Sequence, residues 1–244
     1  MPVAFQESSR IRPPDAGVRP YAEAQALAPD RPADRIPADL GCSALEAVRR
    51  AYGVMAATYT ELFGTTAAVH PGDLALIERH LTALPGTVLD VGCGPGHLTA
   101  HLRSAQVAAT GIDLVPAFLD HARATHPDVP YALASARHLP VPDGTVAGIL
   151  AWYSLIHEPP DELDRTLAEL RRAMAPGGML VAGFFDGDEV VAFPHKVVTA
   201  YSWPIDEFSD RLQHAGFGEV ERQQRGEDPV NGTRPHAAVA ARAG

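Results

Sequence analysis

The chain has little cysteine, no cluster of positive charge and no long apolar run, and each absence excludes something. Two cysteines occur in 244 residues, Cys42 and Cys93, too few for a disulfide framework and in keeping with a reducing compartment. Lys and Arg number 20 against 30 Asp and Glu, a formal net charge of −10, and the basic residues do not gather. A nucleic-acid footprint is therefore missing, and an acidic surface is a poor match to anionic membranes. No stretch approaches the ~18 apolar residues that a bilayer span requires, and the first residues lack the apolar core of a secretory signal. These observations point to a cytoplasmic protein with neither nucleic acid nor membrane as partner. Two catalytic arrangements are missing as well. Ser135 and Ser154 lack the G-x-S-x-G elbow of a serine nucleophile. His97 and His101 are spaced i, i+4 but have no third ligand, so no metal is expected.

What is present suits one α/β domain with some extra: 46% apolar and 20% charged residues, enough chain to bury a substantial core. Residues 1–40 hold seven prolines (Pro2, Pro13, Pro14, Pro20, Pro29, Pro32, Pro37) and read as an arm, with room for a short helix only at Tyr21–Leu27. The domain proper is residues 41–244. Leu45, Val48, Tyr52 and Met55 repeat at helical spacing, with Tyr59–Phe63 continuing them, and Pro71–Leu84 makes a second helix. Strand–helix alternation follows. Strands are expected at Thr87–Val91, Ala108–Asp113, Pro130–Ala134, Val146–Tyr153 and Met179–Phe185. Helices are expected at Gly96–Ser104, Pro116–Thr125 and Asp161–Met174, the last stopped by Pro176-Gly177-Gly178. A helix at Asp206–Ala215 precedes an antiparallel pair, Val220–Arg225 with His236–Arg242. Such alternation implies a parallel sheet covered by helices on both faces.

The run Val88-Leu89-Asp90-Val91-Gly92-Cys93-Gly94-Pro95-Gly96-His97-Leu98 is a buried strand, a glycine turn and a helix start. Glycine lets backbone approach a ligand closely, and the helix aims free N–H groups into the turn. A dinucleotide fingerprint G-x-G-x-x-G would place its third glycine at position 97. That residue is His97, and the glycine comes one position early. Asp113, at the end of the second strand, can accept both hydroxyls of a ribose.

The D-V-G-C-G-P-G-H-L-T run resembles motif I of the class I S-adenosylmethionine-dependent methyltransferases. Three further segments agree in order and distance: Asp113, the run Ser135–Asp143 and the run Leu170–Val181. The second is similar to a D-A-x-x-L-P-F-P-D loop, departing from it at Ser135, where the family commonly carries Asp. The resemblance covers residues 45–242. It implies a Rossmann-like, seven-stranded, mostly parallel sheet with an antiparallel C-terminal strand and S-adenosylmethionine as cofactor, leaving S-adenosylhomocysteine as product. Gly92, Gly94 and Gly96 would cradle the methionine and ribose portion, with Asp90 and Cys93 in the same turn. Asp113 would take the ribose hydroxyls. Leu114, Ala136 and Arg137 would meet the adenine, with Trp152 nearby. One of Tyr52 and Tyr59 would cover the methionyl end or the sulfonium, whose charge suits an aromatic face; equally, the two could simply anchor the helix to the core.

A small-molecule methyl acceptor would lie beyond strands four and five, lined by Tyr153, His157, Phe185, His195, Tyr201 and Trp203. His157 is the base candidate, since histidine titrates near neutrality, although the same residue could serve only as a hydrogen-bonding wall. Two other readings stay open: a protein that binds the cofactor without transferring methyl, and an NAD(P)-dependent oxidoreductase, which the displaced third glycine opposes. The expected assembly is a monomer or homodimer.

Overall fold

The computed structural model describes residues 42–227 and 233–244. The proline-rich arm with its Tyr21–Leu27 segment, and the middle of the loop Gly226–Arg234, lie outside the described residues. Helix α1 (Cys42–Phe63), a 3₁₀ turn (Thr66–Ala68) and α2 (Pro71–Leu81) come first. Then follow β1 (Thr87–Val91), α3 (His97–Ser104), β2 (Ala108–Asp113), α4 (Pro116–Thr125), β3 (Tyr131–Leu133) and β4 (Val146–Trp152). The chain continues through α5 (Pro160–Ala173), β5 (Met174–Asp186), β6 (Val191–Phe193) and β7 (Ala200–Trp203). It ends with α6 (Ile205–His214), β8 (Phe217–Arg225) and β9 (His236–Ala243).

The main sheet has the order β3-β2-β1-β4-β5-β9-β8, and β9 alone runs against its neighbours. Those are the seven expected strands, including the antiparallel C-terminal pair. Two strands were not expected. The stretch after β5 reads as loop, yet β6 and β7 pair antiparallel, and β7 lies parallel to the end of β5 through Phe185–Ser202 and Asp186–Trp203. They fill the space beside β5 that β4 leaves when its chain turns away at Tyr153. The Pro176-Gly177-Gly178 turn also differs from expectation. Helix α5 ends at Ala173, and Met174 already pairs with Val146, so the turn is a bulge inside β5, where Gly177 has φ +78°.

Alternation and helical periodicity explain the layers. On one face α5 sets Leu163, Leu167 and Leu170 in a single stripe, all fully buried against β4, β5 and α6. Burying each leucine contributes about 1.5–3 kcal/mol. On the other face Leu76 and Leu81 of α2 and Leu98 and Leu102 of α3 meet Val88, Leu150 and Val181. Helix α1 stands apart from both layers. Its apolar face meets Leu114, Val115 and Phe118, while Val54 on its far side is 81% exposed. It forms a roof over the carboxyl ends of β1, β2 and β4.

Candidate active site

Strands β1 and β4 are neighbours whose chains continue to opposite sides of the sheet, and that switch point is where open α/β sheets bind ligands. The turn Gly92–Gly96 sits there. Gly92 (φ +75°) admits no side chain, since a Cβ would lie 2.3 Å from that of Ser154. Beside Gly94 (φ +52°) the space is open, the nearest atom to an added Cβ being Tyr59 Cε1 at 4.0 Å. The N–H groups of Gly92 and Cys93 donate to the Ile112 carbonyl at 2.7 and 3.0 Å, tying the turn to β2. Asp113 then accepts Gly94 N–H on Oδ2 and Val115 N–H on Oδ1, both at 2.8 Å. Burial pushes its carboxyl up to about 6, against the pull of those N–H donors.

Asp90, Cys93 and Gly96 lie behind the turn, off the cavity. Asp90 is buried and accepts the Thr99 hydroxyl at 2.6 Å; burial raises its carboxyl to about 7. The Cys93 thiol is buried and pushed up for the same reason. A Cβ on Gly96 would meet the Tyr131 hydroxyl at 2.5 Å, on the side of β3. These three residues shape the turn that others present.

The cavity is lined by Tyr52, Tyr59, Gly92, Gly94, Asp113, Leu114, Ala136, Arg137, Trp152, Tyr153 and His157, so most of the expected residues do converge. Tyr52 and Tyr59 meet edge to face at 5.5 Å, and Tyr59 packs on Phe118 at 5.3 Å. The Tyr52 hydroxyl lies 2.8 Å from His157 Nε2, while His157 Nδ1 is 2.7 Å from the Thr199 carbonyl. A carbonyl only accepts, so Nδ1 carries the hydrogen and Nε2 takes the Tyr52 proton. Burial lowers the His157 pKa, which keeps the ring neutral.

Arg137 keeps its place on the cavity wall, and two other expectations change. The Arg137 guanidinium is held by Glu158 at 2.6 and 3.0 Å and by Glu162 at 3.2 Å, so it fastens the loop after β3 to the start of α5. Trp203 is only 1% exposed and packs on Phe208 with Arg211 over its ring, inside the core. Phe185 and His195 stand behind the cavity, 5.0 Å from the Tyr153 ring and 5.6 Å from the His157 ring, and Tyr201 packs against the core layer. An aromatic residue in a strand serves core and wall alike, and in β7 both end residues, Ala200 and Trp203, are buried.

Ala44, Leu45, Val48, Val115, Phe118, Ala134, Ser135, Ser154 and Glu158 also line the cavity. The helical spacing of Leu45, Val48 and Tyr52 carried that signal for the first of them. Nothing in the sequence signalled the contact between Tyr153 and His236, 83 residues apart at 2.5 Å.

Fold and site together define a Rossmann-like nucleoside-binding protein with a helical roof. Residues 88–178 match a family model described as a methyltransferase domain. The chain is 28% identical over 183 residues to a malonyl-[acyl-carrier protein] O-methyltransferase of Erwinia billingiae, covering 70% of this chain and 67% of that one. It spans about a third to a half of the length of further curated relatives with that name. Among solved structures it is similar to the 1,6-didemethyltoxoflavin-N1-methyltransferase of Burkholderia thailandensis, with TM-score 0.70 and 22% identity. That likeness covers 86% of this chain and 92% of the other, which holds 1,6-didemethyltoxoflavin and S-adenosylhomocysteine. These likenesses support a class I S-adenosylmethionine-dependent methyltransferase, with S-adenosylmethionine as its cofactor.

The residues present fit that cofactor. Each Asp113 oxygen has one N–H donor, which leaves lone pairs for two ribose hydroxyls. The open space beside Gly94 admits a ligand against the backbone, and the Tyr52 and Tyr59 rings offer faces to a cation. No described helix is long and apolar enough to cross a membrane.

Proposed function

We propose that this protein transfers a methyl group from S-adenosylmethionine to an O, N or C atom of a small molecule, with a secondary metabolite as the acceptor class. The observation that carries this reading is the roofed cavity in which Asp113, the glycine turn and the tyrosine pair converge with a neutral, tautomer-fixed His157. When bound, the cofactor supplies an electrophilic methyl on a sulfonium; transfer breaks the sulfur–carbon bond, forms the bond to the acceptor and leaves S-adenosylhomocysteine. The chain's part is to hold the two reactants together, which can supply about 7–11 kcal/mol, and to receive any proton the acceptor gives up. His157 is the residue proposed to receive it, through the Tyr52 hydroxyl, and Tyr153 lines the acceptor side. The protein acts in the cytoplasm as a monomer or homodimer.

Calorimetric titration with S-adenosylhomocysteine, with NADH as the control, tests the reading. Micromolar binding that Asp113→Ala weakens at least tenfold, with NADH inert, supports it. An acceptor screen on wild type and His157→Asn follows, in which loss of turnover at unchanged cofactor affinity assigns the proton to His157. Failure of S-adenosylhomocysteine to bind the intact protein would overturn the reading. Binding without turnover of any acceptor would favour a non-transferring protein.

A further inference from the structure

Two phenols on the cavity wall have their protons turned away from it. Tyr52 gives its hydrogen to His157 Nε2, because the Thr199 carbonyl holds the ring's other N–H. Tyr153 stands on another wall, at φ +54°, where β4 leaves the sheet. Its hydroxyl lies 2.5 Å from His236 Nδ1. His236 is buried at the start of β9, and its Nε2 faces Asp73 Oδ1 at 3.4 Å. Asp73, buried in the first turn of α2, is gripped by Arg225 through both oxygens at 2.5 and 2.6 Å. Burial opposes its charge, but the His236 ring beside it and the Arg225 guanidinium outweigh it and hold the carboxyl below its usual range.

An ionised carboxylate only accepts, so a neutral His236 ring carries its hydrogen on Nε2, facing Asp73, and leaves Nδ1 to accept from Tyr153. Both phenol oxygens therefore offer lone pairs, and no hydrogen, to a ligand between them. The charges agree. Among the described residues lining the cavity the one cation is Arg137, which Glu158 and Glu162 already hold, while Asp113 adds a carboxylate. Nothing on that wall is free to receive an anionic group, and a buried lone pair facing a carboxylate is penalised on both sides.

We propose that Tyr153, oriented by His236 and Asp73, selects methyl acceptors that present an O–H or N–H donor and discriminates against carboxylate acceptors. Tyr153 is the specificity residue, and His236 and Asp73 are positioning residues acting through it. The proposal rests on the methyltransferase reading, since it assigns the acceptor side of the same cavity.

Phenol, anisole and benzoate, three probes of one ring, test it. Each is titrated at pH 8 into the protein saturated with S-adenosylhomocysteine, and phenol is also titrated without that ligand. Phenol is expected to bind about tenfold tighter than anisole or benzoate, the worth of one good hydrogen bond. Tyr153→Phe should bring phenol and anisole within twofold while S-adenosylhomocysteine affinity holds, which also reports an intact fold. His236→Phe frees the Tyr153 hydrogen to turn inward and should narrow the gap between phenol and benzoate. Imidazole ¹⁵N shifts should show His236 with hydrogen on Nε2 and none on Nδ1. Equal binding of phenol and anisole, benzoate as tight as phenol, no binding of phenol, or a preference that survives Tyr153→Phe would each overturn the proposal. Loss of S-adenosylhomocysteine binding with the phenol preference intact would instead overturn the methyltransferase reading alone.

Discussion

Asp90 and Asp113 are buried beneath and beside the glycine turn, and among the described residues neither meets a cation. Hydroxyl and N–H donors compensate their charge in part, yet burial still raises the two carboxyls to about 7 and about 6. A carboxyl raised above its unfolded pKa, ~3.9 for Asp, binds a proton more readily in the native state than in the unfolded chain. Cofactor-free protein should thus gain stability as pH falls from about 7 towards 4, and lose it as pH rises through that window. Asp90→Asn keeps an oxygen for the Thr99 hydroxyl and removes the charge. It is expected to raise the urea midpoint at pH 8, by an equivalent of roughly 1 kcal/mol or more, and to leave it nearly unchanged at pH 4.5. A lower midpoint at pH 8 would show that the ionised carboxylate stabilises the turn. The same two carboxylates were visible in the sequence as the ends of apolar strands, but their strain was not, because it depends on what the turn excludes from around them.

Helix α1 is the element with the least to hold it. Its buried contact is Ala56 with Val115 and Phe118, helped by Tyr52, Tyr59 and one side-chain hydrogen bond to His157. Segments with so little buried apolar contact open locally at a small fraction of the global free energy. Amide exchange across α1 should be fast in the free protein and slow at least tenfold with S-adenosylhomocysteine bound, while β1 and β4 stay protected in both states. Tyr52→Phe, which removes the one hydrogen bond, should speed α1 exchange about fivefold. Protection of α1 equal to that of β1 without ligand would mean that the roof is part of the core. The helix itself was legible, since Leu45, Val48 and Tyr52 share a face at any reading of the periodicity. So was the order of strands and helices, because apolar runs bounded by glycine and proline mark buried parallel strands. Strands β6 and β7 were not legible. Three and four residues are too few for a period, and their pairing depends on the vacancy beside β5 left by the turn at Tyr153. Trp203 was misplaced for the same reason, and the grip of Glu158 on Arg137, 21 residues away, was equally hidden.

At the scale of the whole molecule, the contact between Asp73 and Arg225 ties the second helix to the C-terminal hairpin across 152 residues. The sequence could not show it, since no spacing rule reaches that far. Asp73 side-chain atoms are 5% exposed and those of Arg225 are 32% exposed, so solvent screens the pair on one side only. The depressed Asp73 carboxyl contributes stability above pH ~4 that is lost as pH falls below it, the opposite of the trend set by Asp90. Removing one partner is worse than removing both, because it strands a buried charge. Arg225→Met should accordingly lower stability by about 1–3 kcal/mol at pH 7, the exposed side of the pair keeping it below the range for fully buried pairs. Asp73→Asn placed in that background should restore part of the loss, since the stranded carboxylate is gone. Urea midpoints of the wild type, the two single variants and the double variant close a cycle that isolates the pair. Recovery in the double variant, together with a phenol preference weakened in all three, would show that one ion pair holds the hairpin to α2 and sets the direction of the Tyr153 proton. A double variant weaker than Arg225→Met would instead make Asp73 an independent support of His236, with Arg225 an incidental neighbour.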